Sequence, residues 1–236
     1  MTWLRRLREE IEVRLATRRD PEQRRILHSA APYTMVGKRR LLNACLAVAE
    51  MDRMGIAGAI VECGVWRGGC AAAMAAESER SGAARALWLF DSFEGLPQPT
   101  VEDGTRAREW MNDRERRCIA EVRDVERLLF EEFRIARERV HIRTGWFADT
   151  IPASAAEIGP IAVLRLDADW YDSTKTCLEC LYSLVSDGGI VIIDDYGYWE
   201  GCRRATDEFL RTIPPVELTA IDGSGVFFRK TGPCAA

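Results

Sequence analysis

The sequence predicts an α/β fold: a Rossmann-like sheet, mostly parallel, with helices on both faces and an antiparallel hairpin at its C-terminal end. Three observations lead there. Short apolar runs alternate with helix-length amphipathic segments, which indicates parallel strands joined by crossover helices. The apolar runs stop on acids or glycines, at Cys63-Gly64, Asp91, Asp167 and Asp194-Asp195. The last two runs are separated only by Asp222-Gly223-Ser224, a hairpin signal.

The chain has 236 residues, 47% of them hydrophobic and 30% charged, with a formal net charge of −4. That supports a single main domain with a full core. The charge balance carries no basic surplus, so nucleic acid is not an expected partner. No apolar run approaches the roughly 20 residues of a membrane span. Residues 1–20 are charged throughout and contain no apolar secretory core. A cytoplasmic location is expected. The eight cysteines read as free, mostly packed thiols. Cys177 and Cys180 have zinc-like spacing but lack a second Cys or His pair and fall in an expected helix, so helix packing is the stronger reading.

Residues 1–30 form an expected helical extension and residues 31–236 the main domain. A helix over 2–17, capped by Thr2, places Leu4, Leu7, Ile11 and Leu15 on one face. That face could dock on the body or on a second subunit; a membrane-surface role is weaker because its charges are mixed in sign. A loop at 31–37 precedes a helix at 38–54. Then follow a strand at Ala59–Cys63, a glycine turn and a helix at 70–79. The next strand, Ala86–Phe90, ends at Asp91. Residues 97–118 are polar and poor in periodicity, so a mobile lid is expected, with a helix from about 117 to 133. Strands at Val140–Thr144 and Ala162–Leu166 come next, the second ending at Asp167. A helix at 173–185, a strand at Ile190–Ile193, a helix at 202–211 and strands at 216–221 and 225–230 complete the reading.

In open α/β sheets ligands bind beyond the carboxyl ends of the strands, where this chain concentrates acids. An Asp after a strand can simply cap the next helix, but four acids at the strand ends of one sheet favour a site. In the first turn Val65-Trp66-Arg67 separates Gly64 from Gly68, so the dinucleotide spacing G-x-G-x-x-G is absent. Glu62 before the glycines suits a cationic ligand better than a phosphate. S-adenosylmethionine, with its α-amino group and sulfonium, fits. Asp91 is placed for ribose hydroxyls. Asp167, Asp194 and Asp195 end neighbouring strands and could converge on one Mg²⁺ ion; a merely solvated acidic cluster is the other reading.

These motifs together resemble the macrocin O-methyltransferase (TylF/MycF) family. The likeness runs from Tyr33-Thr34-Met35-Val36-Gly37 through Gly64-Val65-Trp66-Arg67-Gly68-Gly69 and Asp91-Ser92-Phe93-Glu94-Gly95-Leu96-Pro97. It continues through Gly145-Trp146-Phe147-Ala148-Asp149-Thr150, Asp167-Ala168-Asp169-Trp170-Tyr171 and Asp194-Asp195-Tyr196-Gly197. The resemblance implies the class I methyltransferase form of the fold and Mg²⁺-dependent methylation of a hydroxyl, usually on a sugar of a natural product. It implies cofactor contacts from Thr34, Met35, Glu62, Cys63, Gly64, Val65, Trp66, Asp91, Ser92, Phe93, Glu94, Gly95 and Trp146. It implies metal ligation by Asp167, Asp194 and Asp195, with Asp167 also the base, and a homo-oligomer assembled in part through the N-terminal segment. The acceptor it implies is a small molecule, a glycosylated metabolite or an activated sugar. Cys63 stands where Thr is expected, Ala168 where Gly is common, and residues 98–118 are unusually Arg-rich, which leaves the acceptor open.

Other readings remain: a phenol or catechol acceptor at the same metal site, or a cofactor-binding protein without turnover. An oxidoreductase would need a nicotinamide fingerprint. Histidine catalysis is disfavoured, since only His28 and His141 exist and His141 begins a strand at the far end from the site. Trp146 and Trp170 could line a pocket or pack in the core.

Overall fold

The computed structural model describes residues 3–112 and 118–232. Thr2, Cys234, residues 113–117 of the expected lid and the side chains of Leu4 and Leu7 lie outside the described residues.

A seven-stranded sheet runs in the order β3-β2-β1-β4-β5-β7-β6. Its strands are β1 (Ala59–Cys63), β2 (Leu87–Asp91), β3 (Val140–Thr144), β4 (Ile161–Leu166), β5 (Val185–Ile193), β6 (Thr219–Ala220) and β7 (Val226–Arg229). The first five are parallel; β7 pairs antiparallel with β5 and with β6. The sheet is thus the mostly parallel one expected, with its C-terminal hairpin. The helices are α1 (Trp3–Ala16), α2 (Pro21–Ala30), α3 (Lys38–Met54), α4 (Gly69–Arg80), α5 (Gly104–Met111), α6 (Val122–Arg127), α7 (Phe147–Ile158), α8 (Tyr171–Leu181) and α9 (Glu200–Leu210).

The period of two along each strand divides the core into two layers. Ile60, Leu87, Leu89, Val163 and Ile192 pack with α2, α3 and α4 on one face. Val61, Phe90, Leu164, Val191 and Ile193 pack with α7, α8 and α9 on the other. Residues of β1 and β4 are buried on both faces, which is why these strands read as continuous apolar runs.

Several expectations are corrected. Ile11 and Leu15 are 49% and 59% exposed, whereas Val13 and Thr17 are buried. Helix α1 is held to α3 largely by polar contacts: Glu9 accepts from the Arg39 N–H at 2.8 Å, and Glu10 pairs with Lys38 at 2.8 Å. The segment expected as a mobile lid carries α5, and the helix expected from 117 to 133 begins at Val122 and widens into a π turn at Leu128–Glu132. Helix α2 lies in the expected N-terminal helical extension, whereas α7 has no counterpart in the sequence reading; Pro152 within it interrupts the usual helical signal. Strand β5 begins at Val185, running through Gly188-Gly189, where β4–β5 pairing shifts register. Cys45, Cys63, Cys70, Cys177, Cys180 and Cys202 carry free thiols. Among the described residues no helix is long and apolar enough to cross a membrane.

Candidate active site

The carboxyl ends of β1, β2, β4 and β5 open into a cavity of about 630 Å³, within the range of small-molecule sites. Backbone geometry draws its floor together. Gly64, with φ +87°, donates its N–H to Phe90 O at 2.9 Å, while Asp167 N–H reaches Cys63 O at 2.8 Å. A Cβ on Gly64 would overlap the Asp167 carbonyl oxygen. Only glycine allows the first turn to lie this close to the end of β4.

Asp91 shapes that turn from the next strand. Its Oδ2 accepts from the N–H groups of Val65 and Trp66 at 2.7 and 2.8 Å, and its Oδ1 from Phe93 N–H at 2.7 Å. Burial nonetheless raises its pKa, against these three amides. The carboxylate therefore organises the loop as well as lining the cavity.

One oxygen each of Asp167, Asp194 and Asp195 lies within 4.8 Å of the others. A buried ion-pair network stands behind them. Arg165, next to the C-terminal end of β4 and 1% exposed, places Nη1 2.6 Å from Glu62 Oε1 and Nη2 2.7 Å from Asp194 Oδ1 and 3.1 Å from Asp167 Oδ2. Glu62 and Arg165 are register partners on adjacent strands, so the pairing follows from the β1–β4 alignment. From α3, Arg40 pairs with Asp194 and, at 3.3 Å, with Asp222.

Burial outweighs these partners. The Glu62 carboxyl is pushed up to about 7 by desolvation, against the pull of Arg165. Desolvation also raises Asp194, opposed by Arg165. Asp195 is raised well above its ordinary value by desolvation and then by Asp169, Asp167 and Asp194. Asp169 is pushed up to about 8 by desolvation and the Asp167 charge, although Trp199 donates its indole N–H to it at 2.9 Å. Among the described residues the buried Asp195 Oδ2 has no hydrogen-bond partner. Glu62, Asp167, Asp194 and Asp222 pair with the two guanidiniums of Arg165 and Arg40, and Asp169 and Asp195 add further carboxylates beside Asp167. A convergent set of hard oxygens, one of them orphaned, in an excess of acid fits a divalent cation.

Of the residues the sequence pointed to, the cavity brings together Met35, Gly64, Trp66, Asp91, Ser92, Gly95, Trp146, Asp167, Asp194 and Asp195. Thr34, Glu62, Cys63, Val65, Phe93 and Glu94 do not line it. Glu62 turns into the core toward Arg165, because that ion pair sits beneath the sheet end. Thr34 instead accepts from Val36 N–H through its hydroxyl at 3.3 Å. Cys63, Cys70 and Cys177 are buried thiols, and Cys180 is half-buried. His141 stacks on Trp88 at 4.2 Å, away from the cavity. Sequence reading missed Arg165 and Arg40. A lone charge inside the apolar strand Ile161–Leu166 was a usable signal for Arg165; nothing local marks Arg40.

A family model described as Macrocin-O-methyltransferase (TylF) matches residues 5–230. The chain belongs to the macrocin-O-methyltransferase family. Among its relatives is the 8-demethyl-8-(2,3-dimethoxy-alpha-L-rhamnosyl)-tetracenomycin-C 4'-O-methyltransferase of Streptomyces olivaceus, 38% identical over 86% of this chain and 77% of that protein. The demethyldecarbamoylnovobiocin O-methyltransferase of Streptomyces niveus is also 38% identical, over 86% and 77%. The solved structure of the O-methyltransferase NovP superimposes with a TM-score of 0.75 at 36% identity, covering 85% of this chain and 83% of that one. The chain is accordingly an O-methyltransferase of this family, with natural products as the family's acceptors.

Proposed function

We propose that this macrocin-family enzyme transfers a methyl group from S-adenosylmethionine to a sugar hydroxyl of a glycosylated metabolite, assisted by Mg²⁺. The observation that carries the reading is the convergence of Asp167, Asp194 and Asp195 on the cavity that also contains the Gly64 turn and Asp91. The rhamnosyl 4'-position in the name of the Streptomyces olivaceus relative supports a sugar acceptor.

The sulfonium supplies a methyl group that is already activated. A bound Mg²⁺ would lower the pKa of a hydroxyl it contacts, and Asp167, Asp194 and Asp195 would hold it. The chain's own work is alignment and proton transfer. The Gly64 turn and Asp91 fix the cofactor side, Met35 and Trp146 flank it, and the acids face the acceptor. The acceptor oxygen takes the methyl carbon, the carbon–sulfur bond breaks, and the thioether leaves. The hydroxyl proton passes to a carboxylate. Asp167 is the base in this reading; Asp169 is a second assignment, because it lines the cavity, lies outside the three-acid cluster and is held only by Trp199. Positioning of this kind contributes on the order of 7–11 kcal/mol in favourable cases.

The test is formation of S-adenosylhomocysteine and methyl ether with the purified chain, a rhamnosyl glycoside and Mg²⁺. EDTA and Asp194→Ala are expected to reduce turnover by at least 100-fold, in line with loss of metal and positioning. Full activity in EDTA would remove the metal from the reading; turnover of catechols but not glycosides would replace the acceptor.

A further inference from the structure

An aromatic wall adjoins the acids, since Trp199 donates to Asp169, and part of it comes from α5, in the Arg-rich segment. Trp110 of α5 stands edge-on to Trp199 at 5.8 Å and to Trp170 at 6.3 Å, and Trp170 meets Trp199 at 4.9 Å. Trp110, Trp199 and Tyr198 line the cavity; Trp170 is buried behind them. The indole N–H groups of Trp170 and Trp199 are committed to Pro97 O and Asp169, both at 2.9 Å. These two indoles therefore contribute apolar ring surface to this side rather than hydrogen-bond donors. Tyr198 is 42% exposed, yet Arg106 lies over its ring at 4.1 Å and donates to its carbonyl at 3.1 Å.

The wall is built into the body. Asp103, 2% exposed, immediately precedes α5; it accepts from Tyr171 N–H at the start of α8 and from Thr100 N–H, both at 2.7 Å. A Cβ on Gly201 of α9 would overlap Asp103 Oδ1, so α9 approaches this anchor only because it carries glycine there. Trp110 is thus fixed against the enzyme without touching the acid cluster.

We propose that Trp110 and Tyr198, with Arg106 steadying Tyr198, form a subsite for the apolar C–H face of a pyranose. A sugar ring presents hydroxyls at its edge and C–H groups on its face. The cavity is lined both by Asp167, Asp169 and Asp195, which suit the hydroxyl edge, and by Trp110 and Tyr198, which suit the C–H face. Trp110 and Tyr198 are specificity determinants for the acceptor and take no part in the chemistry. This inference rests on the glycoside methyltransferase reading of the same cavity.

The experiment is calorimetric titration of the full chain, with Mg²⁺, first by S-adenosylhomocysteine and then by 4-nitrophenyl α-L-rhamnopyranoside. Trp110→Ala and Tyr198→Ala are each expected to weaken the glycoside roughly 3- to 10-fold, the loss of one aromatic contact. Both are expected to leave S-adenosylhomocysteine affinity within about 2-fold, and Trp110→Phe to retain most glycoside affinity. Unchanged glycoside affinity in both alanine variants overturns the subsite, as does an equal loss for both ligands. A parent that binds S-adenosylhomocysteine but not the glycoside overturns the subsite while the methyltransferase reading stands. A parent that binds neither overturns the proposed function and this inference with it.

Discussion

Replacing Arg165 by Met removes the centre of the buried ion-pair network while keeping an unbranched chain of similar length. Glu62 and Asp194, each 1% exposed, lose partners at 2.6 and 2.7 Å, and Asp167 loses one at 3.1 Å. Removing one partner of a buried pair costs about 3–5 kcal/mol, because a charge is left uncompensated in a poorly solvated place. Proton uptake limits the damage: burial already pushes Glu62 up to about 7, and without Arg165 it is expected to be held neutral. For a domain of this size 1 kcal/mol corresponds to about 2–4 °C in Tm, so Arg165→Met is expected to melt about 6–20 °C below the parent. The assay is thermal unfolding followed by circular dichroism, with urea unfolding as a second measure. Glu62→Gln added to Arg165→Met should restore more than about 1 kcal/mol, since the two residues share one interaction. A melting temperature within 2 °C of the parent would refute the reasoning, and additive effects of the two substitutions would locate the cost elsewhere.

Three other outcomes follow from the site. Gly64→Ala is expected to abolish S-adenosylhomocysteine binding by calorimetry, because the new Cβ overlaps the Asp167 carbonyl at a φ of +87°; retained affinity would mean the turn is not where the cofactor sits. Asp195→Asn is expected to raise stability in EDTA by about 1 kcal/mol, since it removes a buried carboxylate crowded by like charges, and to lack the Tm rise that the proposed metal site predicts for the parent in Mg²⁺. A variant less stable than the parent in EDTA would show that Asp195 is compensated without metal. His141→Gln is expected to leave kcat and acceptor KM within about 2-fold, because His141 stacks on Trp88 outside the cavity; a 10-fold loss of kcat in steady-state assays would require a route from β3 to the site.

Local signals decided much of this protein. Continuous apolar runs marked β1 and β4, which are covered on both faces, and the acids and glycines that end the strands marked the side of the sheet where the site lies. The triad Asp167, Asp194 and Asp195 was legible because neighbouring parallel strands place their ends about 5 Å apart. What the sequence could not determine depends on residues far apart in the chain. Glu62 reads as a ligand group until β1–β4 register sets it beside Arg165, where the ion pair turns it into the core. Ile11 and Leu15 satisfy a helical period, but packing buries Val13 instead, since periodicity names a stripe and not the surface that covers it. The polar segment after Pro97 reads as a loop because its anchors lie elsewhere: the start of α8 takes up Asp103, and Trp170 and Trp199 receive Trp110. The position of the cavity is a property of strand ends, written locally; the shape of its aromatic wall is a property of long-range packing, and only the folded chain defines it.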